Sequence, residues 1–407
     1  MKICIIGAGS PYTPEIIERL RAMRESLPVT EIALMDIDEK RLDIMHAFCM
    51  RFSAHMGFEA KITKTIDRRQ AIFGAEFIIT QIRVGGNAAR ASDERICVSM
   101  GLLGQETTGA VGFAKAIRTI PAMLDIAKDV EEVAPNAWII NYTNPTGIIA
   151  EAVINNSRAK IAGLCAGGMF PRDWVSRALQ VKAEDVRYDY AGLNHMNFAY
   201  NITVKGRPIN DEEFALAAEC AGSVNKDLML KLRALPSPYV SYYFHRDRAA
   251  QHDAAKKTRG EVVLELEKEL FSDFANPNIN TKPESLDKRG GGGYSEIATS
   301  IMDAVYNNRD AWTVANAPNK GVLSFLPDSA VIETPCLVNA AGLIPITQSP
   351  PPNAVWGLIA AVKNYEMLTV EAAVTKNKDT ALSALLAHPL IGDYDVAKEL
   401  LEKLEVV

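Results

Sequence analysis

No stretch of this 407-residue chain is apolar for long enough to cross a bilayer, and no leading segment joins a basic start, an apolar middle and a small-residue cleavage site. Cysteine is scarce: Cys4, Cys49, Cys97, Cys165, Cys220 and Cys336 are scattered without the spacing of a disulfide framework or a zinc knuckle. Charge excess is small as well. Forty-four basic against fifty acidic residues give a formal charge of −6, which creates no field for nucleic acid or an anionic membrane. An anionic ligand must therefore be held by a local group of arginines. Internal repeats and a disorder-prone tail are also lacking. These absences point to a cytoplasmic globular protein acting on small molecules.

What is present is ordinary in bulk and specific in order. Apolar residues make up 48% and charged residues 23%. The length exceeds one ordinary core. Strands and helices alternate up to about residue 165, which predicts an α/β fold with a Rossmann-type doubly wound parallel sheet. Residues 1–200 are expected to form that nucleotide domain. Residues 201–407 are expected to form a second, mostly helical α+β domain for substrate and oligomerisation.

The chain is organised around its first residues. Lys2 to Ile6 reads as a buried parallel strand, Gly7-Ala8-Gly9-Ser10 follows at once, and a helical pattern starts near Pro14. Glycines at such a turn let backbone amides approach a pyrophosphate. Tyr12 stands where the usual fingerprint has its third glycine. Glu31 to Asp36 reads as the second strand, ending in an acid. Asp36 there can accept the ribose hydroxyls and would repel a 2′-phosphate, favouring NAD over NADP. The alternative is that Asp36 caps the helix beginning near Glu39.

Further along, Ile82 to Arg90 reads as a glycine-containing loop past a strand end, and Gly101 to Gly109 extends it. Thr119 to Val133 reads as an amphipathic helix. Lys160 to Cys165 is a strand, and Asp189 to Tyr200 is another, broken at Asn194-His195. Cys165 and His195 thus fall at strand ends. A thiolate with an imidazole suits a borderline divalent cation and leaves positions open for water and substrate oxygens. Taken alone, each is more often structural. In Pro236 to Arg246, Tyr239 follows a proline turn and is the candidate general base, while at least two of Tyr242, Tyr243 and Phe244 read as packing. Arg83, Arg90, Arg259 and Arg289 lie near glycine loops or helix starts, where a planar fork of donors fits phosphate or carboxylate. Any one of them could equally be a solvated surface arginine. Gly290 to Gly293 reads as a tight or flexible loop before a helix over 294–307.

Together these motifs resemble glycoside hydrolase family 4, the NAD- and metal-dependent glycosidases. The matching stretches are Ile5 to Ser10, Gln81 to Gly86, Ala89-Arg90, Asp93 to Arg95, Gly104 to Thr107, Asn141 to Pro145, Gly163 to Cys165, Gly192 to His195 and Lys288 to Gly291. Gln81 to Gly86 and Glu261 to Phe271 look most like the 6-phospho-β-glucosidase branch. The resemblance implies hydrolysis without the usual carboxylate pair. NAD⁺ oxidises C3, Tyr239 removes the C2 proton, and a divalent cation (manganese first) on Cys165 and His195 stabilises the enediolate. The aglycone is then eliminated, water adds and the hydride returns. It further implies cofactor contacts from Gly7, Gly9, Ser10, Asp36, Arg41 and Asn144. Substrate contacts would come from Arg90, Asn144, Glu106 and Arg259, in a homodimer or homotetramer.

One position departs from the family. Many members carry aspartate or asparagine after the metal cysteine, and an aspartate there serves to protonate the leaving group in α-specific enzymes. Ala166 cannot. The implied substrate is accordingly a β-glycoside with an anionic C6 group, a 6-phosphate first, with sulfoquinovosides or uronides able to satisfy the same arginines. A true NAD-dependent 2-hydroxy acid dehydrogenase shares the fold and cofactor, and a sugar-nucleotide sensor on a Rossmann fold is the non-enzymatic alternative.

Overall fold

A computed structural model describes residues 1–222, 224–246, 250, 256–289 and 293–406. Six parallel strands, β1 (Lys2–Ile6), β2 (Glu31–Met35), β3 (Lys61–Thr65), β4 (Phe77–Thr80), β5 (Trp138–Asn141) and β6 (Lys160–Gly163), stand in the spatial order β3-β2-β1-β4-β5-β6. This is the Rossmann order. Their residues alternate between two cores, as a strand with both faces covered requires. Ile3, Ile5, Ile32 and Leu34 pack under helices Thr13–Ala22 and Glu39–His55. Cys4, Ile6, Ala33 and Met35 share the other core with helices Gly109–Val133 and Asn353–Thr375.

A short hairpin lies apart from this sheet. β7 (Val186–Leu193) and β8 (Met196–Val204) pair antiparallel, and the two-residue strands β9 (Arg207–Pro208) and β10 (Leu235–Pro236) add to β8. The broken strand expected over Asp189–Tyr200 is thus two strands of a second sheet. Asn194-His195 is their turn, and His195 takes the left-handed conformation, φ +66°, that so tight a reversal demands.

The later half does not keep to itself. β11 (Ala311–Pro318), β12 (Val331–Asn339) and β13 (Gly342–Pro345) continue the main sheet antiparallel beyond β6, with Asn316 opposite Gly163. The main sheet therefore crosses residue 200. Two local expectations also change. The loop expected through Arg90 is helix from Gly86 to Ser99, and the helix expected from Thr119 begins at Gly109. In both, a glycine-rich, polar start hid the first turn. Of the glycine run 290–293, only Gly293 lies within the described residues, at φ +89° before helix Tyr294–Tyr306.

Helix Asn353–Thr375 is locked to the sheet by buried charge. Lys363 Nζ lies 2.6 Å from Glu151 and 2.5 Å from Glu366, and Glu151 also accepts the Val331 N–H at 3.0 Å. Burial alone would lower Lys363, but the two carboxylates outweigh it and hold it protonated. Removing the cation leaves two buried acids uncompensated. Lys363→Met should lower stability by about 3–5 kcal/mol, read as a fall in the urea midpoint; an unchanged midpoint would show the triad to be energetically neutral.

Candidate active site

The parallel strands all end at one sheet edge, where ligands of doubly wound folds sit. Gly7 follows β1 at φ +85°, and a Cβ there would stand 2.9 Å from the Gln81 backbone. The Gly9 N–H donates to Asp36 Oδ2 at 2.8 Å, and a Cβ on Gly9 would meet that same oxygen. Asp36 does not cap the next helix. Asp38 does, accepting the Arg41 N–H at 3.1 Å. The Asp36 carboxylate is instead turned onto the glycine turn. Arg41 donates to the Gly9 carbonyl at 3.1 and 3.3 Å and lies 4.1 Å from the Phe271 ring centre. Ser10 Oγ accepts the Tyr12 N–H at 3.3 Å. This cradle, with side chains excluded at both glycines and an acid at the tip of β2, fits a dinucleotide with free ribose hydroxyls.

A second group assembles from three segments. Cys165, just past β6, is buried, and its Sγ accepts the Gly167 N–H at 3.3 Å. Asn194 and Tyr294 lie close enough to the thiol to favour its ionised form, against the larger effect of burial. His195, next to Asn194, shares a 2.8 Å hydrogen bond between Nδ1 and Thr107 Oγ1, so Nε2 is the nitrogen left for a ligand. The Tyr239 ring stacks on this imidazole, centroids 3.8 Å apart and planes 22° apart. Tyr239 is aimed by its proline turn. Pro236 pairs with Phe198, and the Ser237 N–H donates to Asn197 O at 2.9 Å, fixing the turn to β8. The expected thiol, imidazole and phenol are thus brought together.

Burial sets the protonation of all three. It pushes the Cys165 thiol up to about 12, with Glu333 adding to the effect. It pulls His195 down to about 4, with Glu106 opposing, so the imidazole is neutral near pH 7. The Tyr239 phenol is raised by burial and then by Cys165. A thiol and a phenol that are hard to ionise, beside a neutral imidazole, form a pocket that lacks positive charge. Among the described residues no set of three or more His, Cys, Asp or Glu could hold a metal. Cys165 Sγ and His195 Nε2 are the donors that fit a borderline divalent ion, with open positions for substrate oxygens.

Beside this lies a cationic pocket. Glu106 is gripped by Arg83, by Arg90 at 2.8 Å and by Lys115 at 2.7 Å. Burial would raise the Glu106 carboxyl, yet the three cations hold it well below the usual range. Burial pulls Lys115 down to about 7, aided by Arg83. Arg90 also pairs with Glu94 at 2.6 Å, and Glu94 accepts the Gly260 N–H at 2.6 Å, which brings the start of helix Arg259–Ala275 against helix Gly86–Ser99. Arg259 itself donates to the carbonyls of Lys288 and Arg289 at 3.1 and 2.7 Å. Asn144 sits past the end of β5 on the same sheet edge.

Several contributors escaped sequence reasoning. Thr107, which shares a hydrogen bond with His195 Nδ1, ends the matched stretch Gly104 to Thr107 but was not singled out in it, and Tyr294, which lies near the thiol, read only as the start of a helix. Glu333 had a signal: it is the one acid in the apolar run Ala330 to Val338. It accepts from Tyr190 at 2.8 Å, Asn194 at 2.9 Å and Asn197 at 3.2 Å, tying β12 to the hairpin turn, and burial pushes it up to about 7.

His388 secures the loop that carries Thr107. Its Nε2 lies 2.8 Å from Thr108 Oγ1 and 3.2 Å from the Gly109 nitrogen, and Nδ1 lies 3.2 Å from the Leu390 nitrogen; the neutral ring accepts at one of its two nitrogens and carries its proton on the other. Burial pulls it down to about 3. The unfolded chain binds this proton near pH 6.5 and the folded chain does not, so the contribution is complete above pH 6.5 and is lost as pH falls toward 3. The stability gap between wild type and His388→Gln should therefore narrow steadily over that range in denaturant titrations. A gap independent of pH would refute the neutral, buried imidazole.

Comparison with known proteins agrees with this geometry. The model described as family 4 glycosyl hydrolase matches residues 2–181, and that described as family 4 glycosyl hydrolase C-terminal domain matches residues 190–391. A probable 6-phospho-beta-glucosidase of Bacillus subtilis is 37% identical, over 99% of this chain and 95% of its own length. The 6-phospho-beta glucosidase of Thermotoga maritima, solved with manganese, NAD⁺ and glucose-6-phosphate, superposes with a TM-score of 0.92 at 33% identity, over 100% of this chain and 98% of that one. A malate dehydrogenase of Plasmodium falciparum, at 14% identity and a TM-score of 0.56 over 92% of this chain and 99% of that one, shares the fold alone.

Proposed function

This chain belongs to glycosyl hydrolase family 4, and on that premise we propose that it is an NAD- and divalent-metal-dependent hydrolase of 6-phospho-β-glucosides. The observation that carries the reading is the stacked His195–Tyr239 pair beside the Cys165 thiol, at the sheet edge that also holds the glycine turn. A dehydrogenase needs no thiol–imidazole pair there. When bound, the dinucleotide supplies a hydride acceptor for C3 of the sugar, and the divalent ion polarises oxygens on C2 and C3.

The chain's own residues do the rest. In this reading Gly7, Gly9 and Ser10 cradle the dinucleotide, and Asp36 and Arg41 meet its adenosine end. Asn144 lies between cofactor and sugar. Cys165 and His195 hold the metal, and Thr107 keeps His195 Nε2 unprotonated toward it. Tyr239 takes the C2 proton. Its phenol, raised by burial, becomes a base only with positive charge beside it. Arg90, with Arg259 at the neighbouring helix start, meets the 6-phosphate, and Glu106 spaces the cations that would otherwise repel. Ala166 opens the 3₁₀ turn after Cys165 and offers no proton, which supports β- over α-glycosides. Assembly as a homodimer or homotetramer is proposed from the family resemblance. A cytoplasmic location fits because phosphosugar and dinucleotide are charged and do not cross membranes unaided, and among the described residues no helix is long and apolar enough to span one.

The test is turnover of an aryl 6-phospho-β-glucoside with NAD⁺, Mn²⁺ and a thiol reductant in D₂O. Sugar should be released with deuterium at C2 and no net NADH, whereas stoichiometric NADH would establish a dehydrogenase. Matching sulfonate and uronate substrates separate the C6 alternatives. Tyr239→Phe should lose about 10²–10⁴-fold in rate together with the C2 exchange; retained exchange would remove Tyr239 as the base.

A further inference from the structure

We infer that Arg289 binds the pyrophosphate of the dinucleotide. The inference rests on the reading of Gly7 to Tyr12 as the dinucleotide turn. The Arg289 side chain is only 9% exposed, and its Nε is buried without a hydrogen-bond partner. Its guanidinium carbon lies 4.5 Å from the centre of the Tyr12 ring. Tyr12 is the N-cap of helix Thr13–Ala22, and its side chain makes no capping bond. A helix start carries partial positive charge and invites an anion. A buried, unsatisfied guanidinium N–H beside it is a donor costly to leave unmade. A phosphate oxygen satisfies both.

The surrounding charges fix the position. Glu267, on helix Arg259–Ala275, reaches Arg289 with one oxygen at 3.4 Å and Arg41 with the other at 3.4 Å. Arg41 is bound to Gly9 O, close to Asp36, so one carboxylate spaces two guanidiniums along the turn. One stands at the adenosine end and the other at the helix end, which is the path of a dinucleotide crossing Gly9. Glu267 is shared between the two guanidiniums, and Asp36 stands at the Arg41 end, so Arg289 is the cation left beside the helix start. Arg259 holds the segment by its bonds to the Lys288 and Arg289 carbonyls. Arg83, Arg90 and Lys115 are held by Glu106 instead and are the cations suited to the sugar phosphate.

The test is calorimetric titration of NAD⁺, ADP, adenosine and glucose 6-phosphate into the full chain, as wild type, Arg289→Gln and Arg289→Lys. The glutamine variant should bind NAD⁺ and ADP about 10–100-fold more weakly, with adenosine and glucose 6-phosphate unchanged. The lysine variant, which keeps the charge and the packing, should fall between. Unchanged NAD⁺ and ADP binding in Arg289→Gln would overturn the inference and leave the functional reading intact. So would loss confined to glucose 6-phosphate, or an equal loss for adenosine, which marks a merely structural arginine. A wild type that binds no NAD⁺ would instead sink the dinucleotide reading itself.

Discussion

The carboxylate of Glu333 is the fixed point between two sheets. It stands on β12, a strand the late part of the chain adds to the main sheet, and it receives hydrogen bonds from Tyr190, Asn194 and Asn197 of the hairpin. A buried acid of this kind is tolerable only when its oxygens are satisfied. The satisfied geometry sets where Asn194 and His195 sit. Asn194 in turn lies close enough to the Cys165 thiol to favour its ionised form. Through one acid, the end of β6 and the tip of a separate hairpin come to a common point.

Electrostatics then divides the site into compartments. Around Cys165, His195 and Tyr239 burial suppresses charge: the thiol is raised, the imidazole lowered and the phenol raised. Around Glu106 charge is concentrated, with Arg83, Arg90 and Lys115 gathered on it and Arg90 also paired with Glu94. The first compartment is prepared for an added cation and the second for an added anion. Neither could be inferred from the overall formal charge of −6. Chemistry that borrows a hydride acceptor and a metal asks this of a protein: it must position and desolvate, while the added groups bring the reactivity.

The two long helices behind the sheet serve the same placement. Helix Asn353–Thr375 is joined to β12 and to helix Thr146–Asn156 through Glu151 and Lys363. His388 steadies Thr108 and the start of helix Gly109–Val133, and so the neighbouring Thr107 that shares a hydrogen bond with the His195 imidazole. Much of the late chain is thus structural support for three side chains contributed earlier.

Local order in the sequence determined much of this. The apolar β-branched run before Gly7-Ala8-Gly9, the acid ending the next strand and the strand–helix alternation to residue 165 dictate the parallel sheet and its glycine turn, because those patterns act over short distances. Cys165, His195 and Tyr239 were legible as candidates through a set of motifs in fixed order. Their meeting was not. It depends on strands β11 to β13 returning to the sheet and on Glu333 gripping a hairpin that reads in sequence as one interrupted strand. The direction of Arg259, turned to the Lys288 and Arg289 carbonyls, and the Asp36 contact to Gly9 were likewise decided only in three dimensions. Hydrogen bonds between residues far apart in the chain, those of Glu333 to Tyr190, Asn194 and Asn197 above all, leave no periodicity in the sequence, so only the folded structure can select them.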